Sequence, residues 1–280
     1  MVRILTDSAA DFEPQELQQL NITCIPLRIM MGDQEFEENV NLSKPQFFEL
    51  LAQLEGAPKT SQASPQILID LFRDARAAGD EAVYITLSSA LSGTHQTAQM
   101  ICEDEGGDCC YVVDSRNATG GQRLLVEYAV RLRDQGKSAR EIIAGVESIR
   151  DKIVLYACID TLEYLYKGGR ISQTVYKLGT MAQVKPIIRV SPEGKIEVPS
   201  KAMGMRKGVD MLAKRLEQQK PSGDHPVYVM YTPQPDNARV LLEKVRSMGY
   251  EVPEEQFISV GGAIGSHIGH NGCGIVYVEE

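Results

Sequence analysis

The stretch from Ala90 to Gln96 contains the residues best suited to binding a small anion. It follows a β-branched, apolar run over 82–87, which predicts a strand covered on both faces. Helical spacing begins at Gly93, and Ser92 is predicted to be the N-cap of that helix. Backbone N–H groups and the positive end of the helix dipole would then face the loop, where a carboxylate or phosphate can bind. A simpler interpretation is that Ser92 only caps its own helix.

Two further predicted strands, over 2–5 and 111–113, also end in polar residues. The first is followed by Thr6-Asp7-Ser8 and the second by Asp114-Ser115-Arg116. Ligands of open parallel sheets bind beyond the carboxyl ends of the strands. Polar groups that recur there favour a single site at one edge of the sheet.

A second hydroxyl-rich segment, over 59–65, leads into another predicted helix. Ser64 is its expected N-cap and Pro65 its first residue. Thr60 and Ser61 lie before the cap and have no role in it. We therefore treat both hydroxyls as candidates for the anion site.

Two segments of the second half also contain residues suited to chemistry. A glycine pair precedes Arg170, so the backbone can reverse there and bring a permanently charged guanidinium towards a carboxylate. A surface arginine after a helix C-cap is the alternative. The run over 261–274 is predicted to be a glycine-rich loop, and His267 within it is a candidate hydrogen-bond donor to a carboxylate.

Other chemistries have less support in the sequence. Zinc binding by His267, His270 and Cys273 lacks a fourth ligand, so no metal site is predicted. The adjacent Cys109-Cys110 pair could bind a soft metal or oxidise, but packing is the expected role because Cys110 opens a predicted strand. Ser92 and His267 could form an acyl-transfer pair, with the helix N-terminus as the oxyanion hole.

Composition limits the class of protein. The 280 residues exceed the usual size of one domain, and 43% hydrophobic residues are enough to bury two cores. A net charge of -9 argues against sequence-independent nucleic-acid binding. No signal peptide and no membrane-spanning run is recognised, so a cytoplasmic protein without a stable membrane anchor is expected.

The order of the predicted elements indicates an α/β fold with two domains. Strands and helices alternate to about residue 149, which is typical of a mostly parallel sheet with flanking helices. Beyond that point a hairpin over 187–198 favours a mixed sheet. We predict an N-terminal α/β domain over 1–155, a C-terminal α/β domain with a mixed sheet over 156–280, and a ligand between them.

Eight short motifs occur in the order in which the DegV family of bacterial fatty-acid-binding proteins has them, and the resemblance covers nearly the whole chain. They are Thr6-Asp7-Ser8-Ala9-Ala10, Pro26-Leu27-Arg28, Thr60-Ser61-Gln62, Leu91-Ser92-Gly93-Thr94, Val113-Asp114-Ser115-Arg116, Leu162-Glu163-Tyr164-Leu165, Gly168-Gly169-Arg170-Ile171 and Lys185-Pro186-Ile187.

The resemblance implies a two-domain protein that binds one long-chain fatty acid between its domains and presents it to a separate fatty acid kinase, which makes an acyl phosphate. It also implies that the carboxylate contacts Thr60, Ser61 and Ser92, with Arg170 and His267 beside it. Gly93 belongs to the same motif as Ser92. No cofactor other than the bound fatty acid is expected.

Two positions depart from the family pattern. Met203 stands where the family tends to have an arginine, and His270-Asn271 replaces the usual proline-glycine after the loop histidine. Arg206 could substitute for that arginine if the segment is already helical at Met203, because residues three apart share a helix face.

The sequence therefore favours a non-enzymatic fatty-acid carrier. Two other functions remain open: an acyl hydrolase or transferase that uses Ser92 and His267, and a lipid sensor that uses the same pocket to regulate another protein.

Overall fold

A computed structural model describes residues 1–177 and 183–280 of the chain. The strands, in chain order, are β1 (Val2–Asp7), β2 (Ile22–Ile25), β3 (Arg28–Met31), β4 (Gln34–Glu37), β5 (Lys59–Ser61), β6 (Glu81–Thr86), β7 (Cys110–Asp114), β8 (Ile153–Cys158), β9 (Val184–Val190), β10 (Ile196–Met203), β11 (Tyr228–Tyr231), β12 (Phe257–Ser259) and β13 (Cys273–Val278).

The α-helices are α1 (Pro14–Gln19), α2 (Lys44–Gln53), α3 (Pro65–Ala78), α4 (Thr94–Ile101), α5 (Thr119–Asp134), α6 (Ala139–Arg150), α7 (Glu163–Lys167), α8 (Gln173–Lys177), α9 (Met205–Ala213), α10 (Arg215–Gln218), α11 (Asp236–Ser247) and α12 (Gly262–Ile268). Short 3₁₀ turns lie at Ser8–Ala10, Gly107–Cys109 and Glu254–Gln256, and a single π-helical turn spans Cys102–Gly106.

The strands form three sheets. The first has the order β2-β1-β6-β7 and is parallel throughout. The second has the order β10-β9-β8-β13-β11-β12 and is mixed, since only β11 and β12 run parallel. The third is a small antiparallel sheet, β4-β3-β5. The predicted α/β fold, with a parallel N-terminal sheet and a mixed C-terminal sheet, is confirmed.

Helix α5 lies between the two large sheets, and α6 packs against α5 and β6. Leu124, Leu125 and Val126 of α5 are all fully buried, so the helix is apolar on more than one face. They belong to one core that includes Val83 from the first sheet and Val276 from the second. This shared core fixes the two sheets relative to each other and brings their loops to a common edge.

The predicted boundary between residues 155 and 156 falls inside β8, which belongs entirely to the mixed sheet. The chain passes from one large sheet to the other at 151–152, directly after α6. The division of the chain into two domains stays a prediction.

Several predicted elements differ from the observed ones. Residues 59–61 form β5, because their backbone pairs with β3, whereas the sequence predicted only an irregular approach to a helix. The predicted glycine-rich loop over 261–274 contains α12. The small antiparallel sheet was not predicted, since its strands are short and half-polar. The predicted N-cap position of Ser64, with Pro65 as the first helical residue, is confirmed.

Candidate functional site

The candidate site is a cavity of about 350 Å³ beyond the carboxyl ends of β2 and β6. Its walls come from β5, the loop before α4, the start of α5, the turn after α7, and α12. We call it the polar cavity, because all six residues predicted from the sequence line it: Thr60, Ser61, Ser92, Gly93, Arg170 and His267. Residues that are up to 207 positions apart in the chain therefore meet at one place.

Thr60 and His267 form the best-defined polar contact in this cavity. Thr60 Oγ1 lies 2.8 Å from His267 Nε2, which joins β5 to α12. His267 is 8% exposed, and burial, with a smaller contribution from the charge of Arg170, lowers its pKa to about 3. The imidazole is therefore neutral at pH 7 and carries one N–H donor.

The place of His267 depends on a glycine opposite its ring. A Cβ on Gly168 would lie 2.2 Å from His267 Nδ1, so a larger residue there would displace the imidazole. Among the described residues, His267 Nδ1 has no hydrogen-bond partner. A buried polar atom without a partner is costly, and only a group that bonds to Nδ1 itself would remove that cost.

Ser92 and Gly93 lie at the start of α4. The structure corrects one prediction here, since Gly93 and not Ser92 is the N-cap. The Ser92 hydroxyl still accepts a hydrogen bond from the Thr94 backbone N–H at 3.2 Å, and Ser92 Oγ lies 2.8 Å from Thr94 Oγ1. The positive end of the α4 dipole therefore faces the polar cavity and favours a negative charge there.

Arg170 supplies the positive charge of the cavity. Its Nε donates to the Leu91 carbonyl at 3.0 Å, and its Nη1 donates to the Gly168 carbonyl. Gly169, at φ +75°, makes the reversal that brings the arginine back. Burial lowers the pKa of the half-buried guanidinium, which nevertheless stays protonated at neutral pH. Arg170 thus fixes the loop that carries Ser92 and places a cation beside it.

A second cavity, of about 60 Å³, lies beside the first, on the side of the mixed sheet. The two share Ala118, Ile196, Ile264 and Ile268. We call it the apolar cavity, since its walls are mainly hydrophobic side chains, among them Leu155, Ala157, Ile188, Val190 and Met230. Hydroxyl, imidazole and guanidinium groups therefore surround part of the polar cavity, and hydrocarbon groups surround the apolar cavity beside it.

Sequence reasoning missed the apolar residues that line the two cavities. Leu27, Leu91 and Leu165 lie inside motifs quoted for the family resemblance, so a local signal existed for them. Ala118 and Ile196 have no such signal, because ordinary apolar residues become a ligand surface only when distant elements leave a gap between them.

The alternative chemistries fit the geometry less well. His267 Nε2 bonds to Thr60 Oγ1, and Ser92 Oγ bonds to Thr94 Oγ1, so neither is engaged in an acyl-transfer pair with the other. Within residues 1–177 and 183–280, no three His, Cys, Asp or Glu side chains are grouped so as to hold a metal ion. Cys109 Sγ and Cys110 Sγ are 3.9 Å apart, and burial raises the pKa of Cys110 to about 12.

The two departures from the family pattern lie in different elements: Met203 in β10, and His270-Asn271 in the turn between α12 and β13. Met203 is the last residue of β10 and is 67% exposed. The condition for Arg206 to replace an arginine at 203 is therefore not met, because α9 begins only at Met205 and the two residues do not share a helix face. Asn271 has φ +56°, and the His270 ring lies 5.8 Å from that of Phe48.

None of the described helices is both long enough and apolar enough to span a bilayer. Fold and site together define a class of α/β protein with a buried amphipathic cavity between a parallel and a mixed sheet.

Comparison with known proteins agrees with that class. The sequence model described as "Uncharacterised protein, DegV family" matches residues 1–280. This chain belongs to the DegV family. A DegV domain-containing protein of Clostridium perfringens is 31% identical over 285 residues, which cover 99% of this chain and 97% of that protein.

Solved structures of the same family share the fold. A DegV family protein from Thermus thermophilus, described as binding fatty acid, has a TM-score of 0.89 and 26% identity, and the match covers 100% of this chain and 99% of that one. The Fatty Acid Kinase (Fak) B3 protein of Streptococcus pneumoniae, solved with linoleic acid, has a TM-score of 0.86 and 23% identity over 100% of both chains.

Proposed function

We propose that this protein is a non-enzymatic carrier that binds one long-chain fatty acid. The observation that carries the proposal is the adjacency of the polar and apolar cavities, which share four wall residues and together match a molecule with one anionic end and a hydrocarbon tail. The Thermus thermophilus relative, which is described as binding fatty acid, supports the same ligand class.

In this proposal the carboxylate lies among Thr60, Ser92 and His267. The Nε2–H of the neutral imidazole would donate to Thr60 Oγ1, which leaves the Thr60 and Ser92 hydroxyl protons free to bond the anion, and Arg170 with the α4 dipole supplies the compensating charge. Ser61 and Gly93 complete the rim of the cavity. No metal ion is needed to neutralise the head group.

The hydrocarbon tail would enter the apolar cavity. Burial of each methylene contributes about 0.8 kcal/mol, so a long acyl chain should remain bound through purification. The lining is built from packed sheet and helix residues, which exclude water along the chain.

Denaturing mass spectrometry of lipid extracted from the purified protein tests the proposal. We expect one fatty acid per protein molecule, and exchange for added oleate in stripped protein. Absence of stoichiometric lipid together with no oleate uptake would exclude a fatty-acid carrier.

The purified protein also allows a test that distinguishes the carrier from an acyl hydrolase or transferase. Release of acid from a chromogenic acyl ester, abolished by Ser92→Ala, would favour a hydrolase over the carrier. Bound lipid without turnover is the expected result.

We further propose that the protein presents the carboxylate to a separate fatty acid kinase, as the family resemblance implies. Support comes from the exposure of Ser61 and Gly93, which places the hydroxyl-bearing side of the polar cavity near the protein surface. A lipid sensor would use the same pocket without acyl phosphate formation. Production of acyl phosphate by a kinase from the same organism separates the two.

A further inference from the structure

A group of buried charged residues lies behind the wall of the polar cavity. Asp11, Glu38 and Lys44 are each at most 6% exposed, and none of them lines either cavity. Burial of charge is costly unless each group is paired and hydrogen-bonded. The partners of these residues show what the group holds together.

Asp11 connects the N-terminal ends of two helices, α12 and α5. Its Oδ1 accepts a hydrogen bond from Gly261 N at 2.8 Å, directly before α12, and its Oδ2 accepts one from the Thr119 hydroxyl at the start of α5. Thr119 has φ +46°, an unusual conformation for a β-branched residue. Such strain persists only where surrounding contacts enforce it, and this bond is one of them.

Glu38 makes a second contact with the same end of α12. Its Oε1 accepts a hydrogen bond from Ala263 N at 3.1 Å. A Cβ on Gly261 would lie 2.3 Å from that oxygen and 2.9 Å from Asp11 Oδ1, so the close approach of the two carboxylates requires glycine at this position. Two carboxylates thus satisfy N–H groups that a helix start leaves unpaired.

Lys44 completes the group. Its Nζ donates to the backbone carbonyls of Asp11 and Ser259, at 2.8 and 3.0 Å, and forms an ion pair with Glu13 at 2.7 Å. Ser259 ends β12, two residues before the bond from Gly261 to Asp11. The lysine therefore holds the strand that leads into α12.

We propose that Asp11 and Glu38 are positioning residues of the fatty-acid site, which hold the α12 wall at the distance from α5 that the ligand requires. The inference rests on the proposed function, because it assigns the two residues to that same site. Neither carboxylate reaches the lumen, so both act through the helices. The wall residues that they hold are Ala118 of the segment before α5 and, on α12, Ala263, Ile264, His267 and Ile268.

The test compares Asp11→Ala and Glu38→Ala with Glu38→Gln, which keeps an acceptor oxygen. The matched control is Asp80→Ala. Asp80 is a buried carboxylate at the amino ends of β1 and β6, away from the cavities, where it bonds the N-terminus and Arg3. The measurements are the oleate dissociation constant of stripped protein, the unfolding midpoint, and hydrogen exchange of the Gly261 and Ala263 amides without ligand.

We expect Asp11→Ala and Glu38→Ala to weaken oleate binding by about tenfold, because the α12 wall is no longer held in position and its equilibrium couples to the site. The Gly261 amide should exchange faster in the first variant, and the Ala263 amide in the second. Glu38→Gln should restore affinity to near the parent value. Asp80→Ala should lower the unfolding midpoint and leave the oleate affinity unchanged.

Unchanged affinity in both alanine variants would overturn the inference, as would an equal loss in Asp80→Ala, which would trace the effect to stability alone. Unchanged amide exchange with normal oleate binding overturns the inference and leaves the proposed function intact. A parent protein that takes up no oleate overturns the proposed function and the fatty-acid role of Asp11 and Glu38 with it.

Discussion

At the scale of single residues, the site combines neutral donors with one cation. His267 is kept uncharged by burial and by Arg170, and it pairs with the Thr60 hydroxyl. A second full positive charge would have to be buried close to Arg170, which is unfavourable. The arrangement therefore suits a single negative charge better than a doubly charged phosphate.

Removal of the hydroxyl donors should weaken head-group binding. We expect Thr60→Val and Ser92→Ala each to raise the oleate dissociation constant, because one hydrogen bond to a charged group contributes roughly 1.5–3 kcal/mol. Titration of stripped protein measures the effect. Ser148→Ala is the control, since its hydroxyl bonds to the Gly145 carbonyl within α6 and Ser148 lines neither cavity. Parent-like affinity in both site variants would place the carboxylate elsewhere.

The buried acid Glu38 predicts a pH-dependent stability. Burial, followed by the nearby charge of Asp11, raises its pKa from 4.5 to about 7, and Lys44 opposes this shift. The folded protein therefore binds the proton more tightly than the unfolded chain does. The stabilising effect is complete below about pH 4.5 and is lost as the pH rises through 7.

Glu38→Gln removes this titration and keeps an acceptor oxygen for Ala263 N. We expect the variant to gain stability relative to the parent as the pH rises from 5 to 8, by up to about 3 kcal/mol for a shift of this size. Denaturant unfolding at both pH values measures the difference. An equal difference between parent and variant at pH 5 and pH 8 would show that Glu38 does not titrate in this range.

At the scale of elements, the short helix α12 contains glycines where it packs closely against α2. Cβ atoms on Gly262 and Gly265 would lie 2.8 Å from ring atoms of Phe47, and one on Gly265 would lie 2.9 Å from Phe48. Both rings are buried in the core beneath α12. The glycines thus let α12 approach α2 closely, which sets the position of His267.

Gly265→Ala should therefore destabilise the protein, although alanine is the better helix former. We expect a loss of about 1–3 kcal/mol from overpacking against two rings, together with weaker oleate binding. Gly145→Ala in α6 is the control, because its Cβ would meet the movable end of Leu132 and reach Tyr128 only at an ordinary contact distance of 3.6 Å. Thermal unfolding and oleate titration separate the two variants. Equal stability in both would show that α12 does not need this close approach.

At the scale of the whole molecule, an uncharged residue is exposed where the family tends to have an arginine. Met203 ends β10 on the surface and cannot pair with an acidic or phosphorylated partner, whereas a guanidinium can. Transfer of a phosphoryl group to a carboxylate builds negative charge that such a group stabilises.

We predict that Met203→Arg raises acyl phosphate formation by a fatty acid kinase from the same organism, with unchanged oleate affinity. Arg206→Ala tests the neighbouring cation, and Val240→Arg adds charge at an exposed site on α11 as a control. Full activity in the parent, unaltered by all three substitutions, would show that position 203 has no part in coupling.

The local sequence was sufficient where the pattern depends on neighbours in the chain. Apolar strand runs, the Ser64 cap, the hairpin of β9 and β10, and the family motifs with Thr60, Ser92 and Arg170 are all set within a few residues. These patterns, with the family resemblance, predicted the α/β fold, its parallel and mixed sheets, and six of the residues that line the polar cavity.

Only the tertiary structure decided how those pieces are joined. Residues 59–61 became a strand because β3 offers them a partner, and α12 formed because Asp11 and Glu38 accept its N–H groups and Phe47 packs against its glycines. The apolar cavity has no local signature, because its walls come from β8, β9, α5 and α12. Its shape is set by the gap between packed elements, and no single segment of the chain contains that gap.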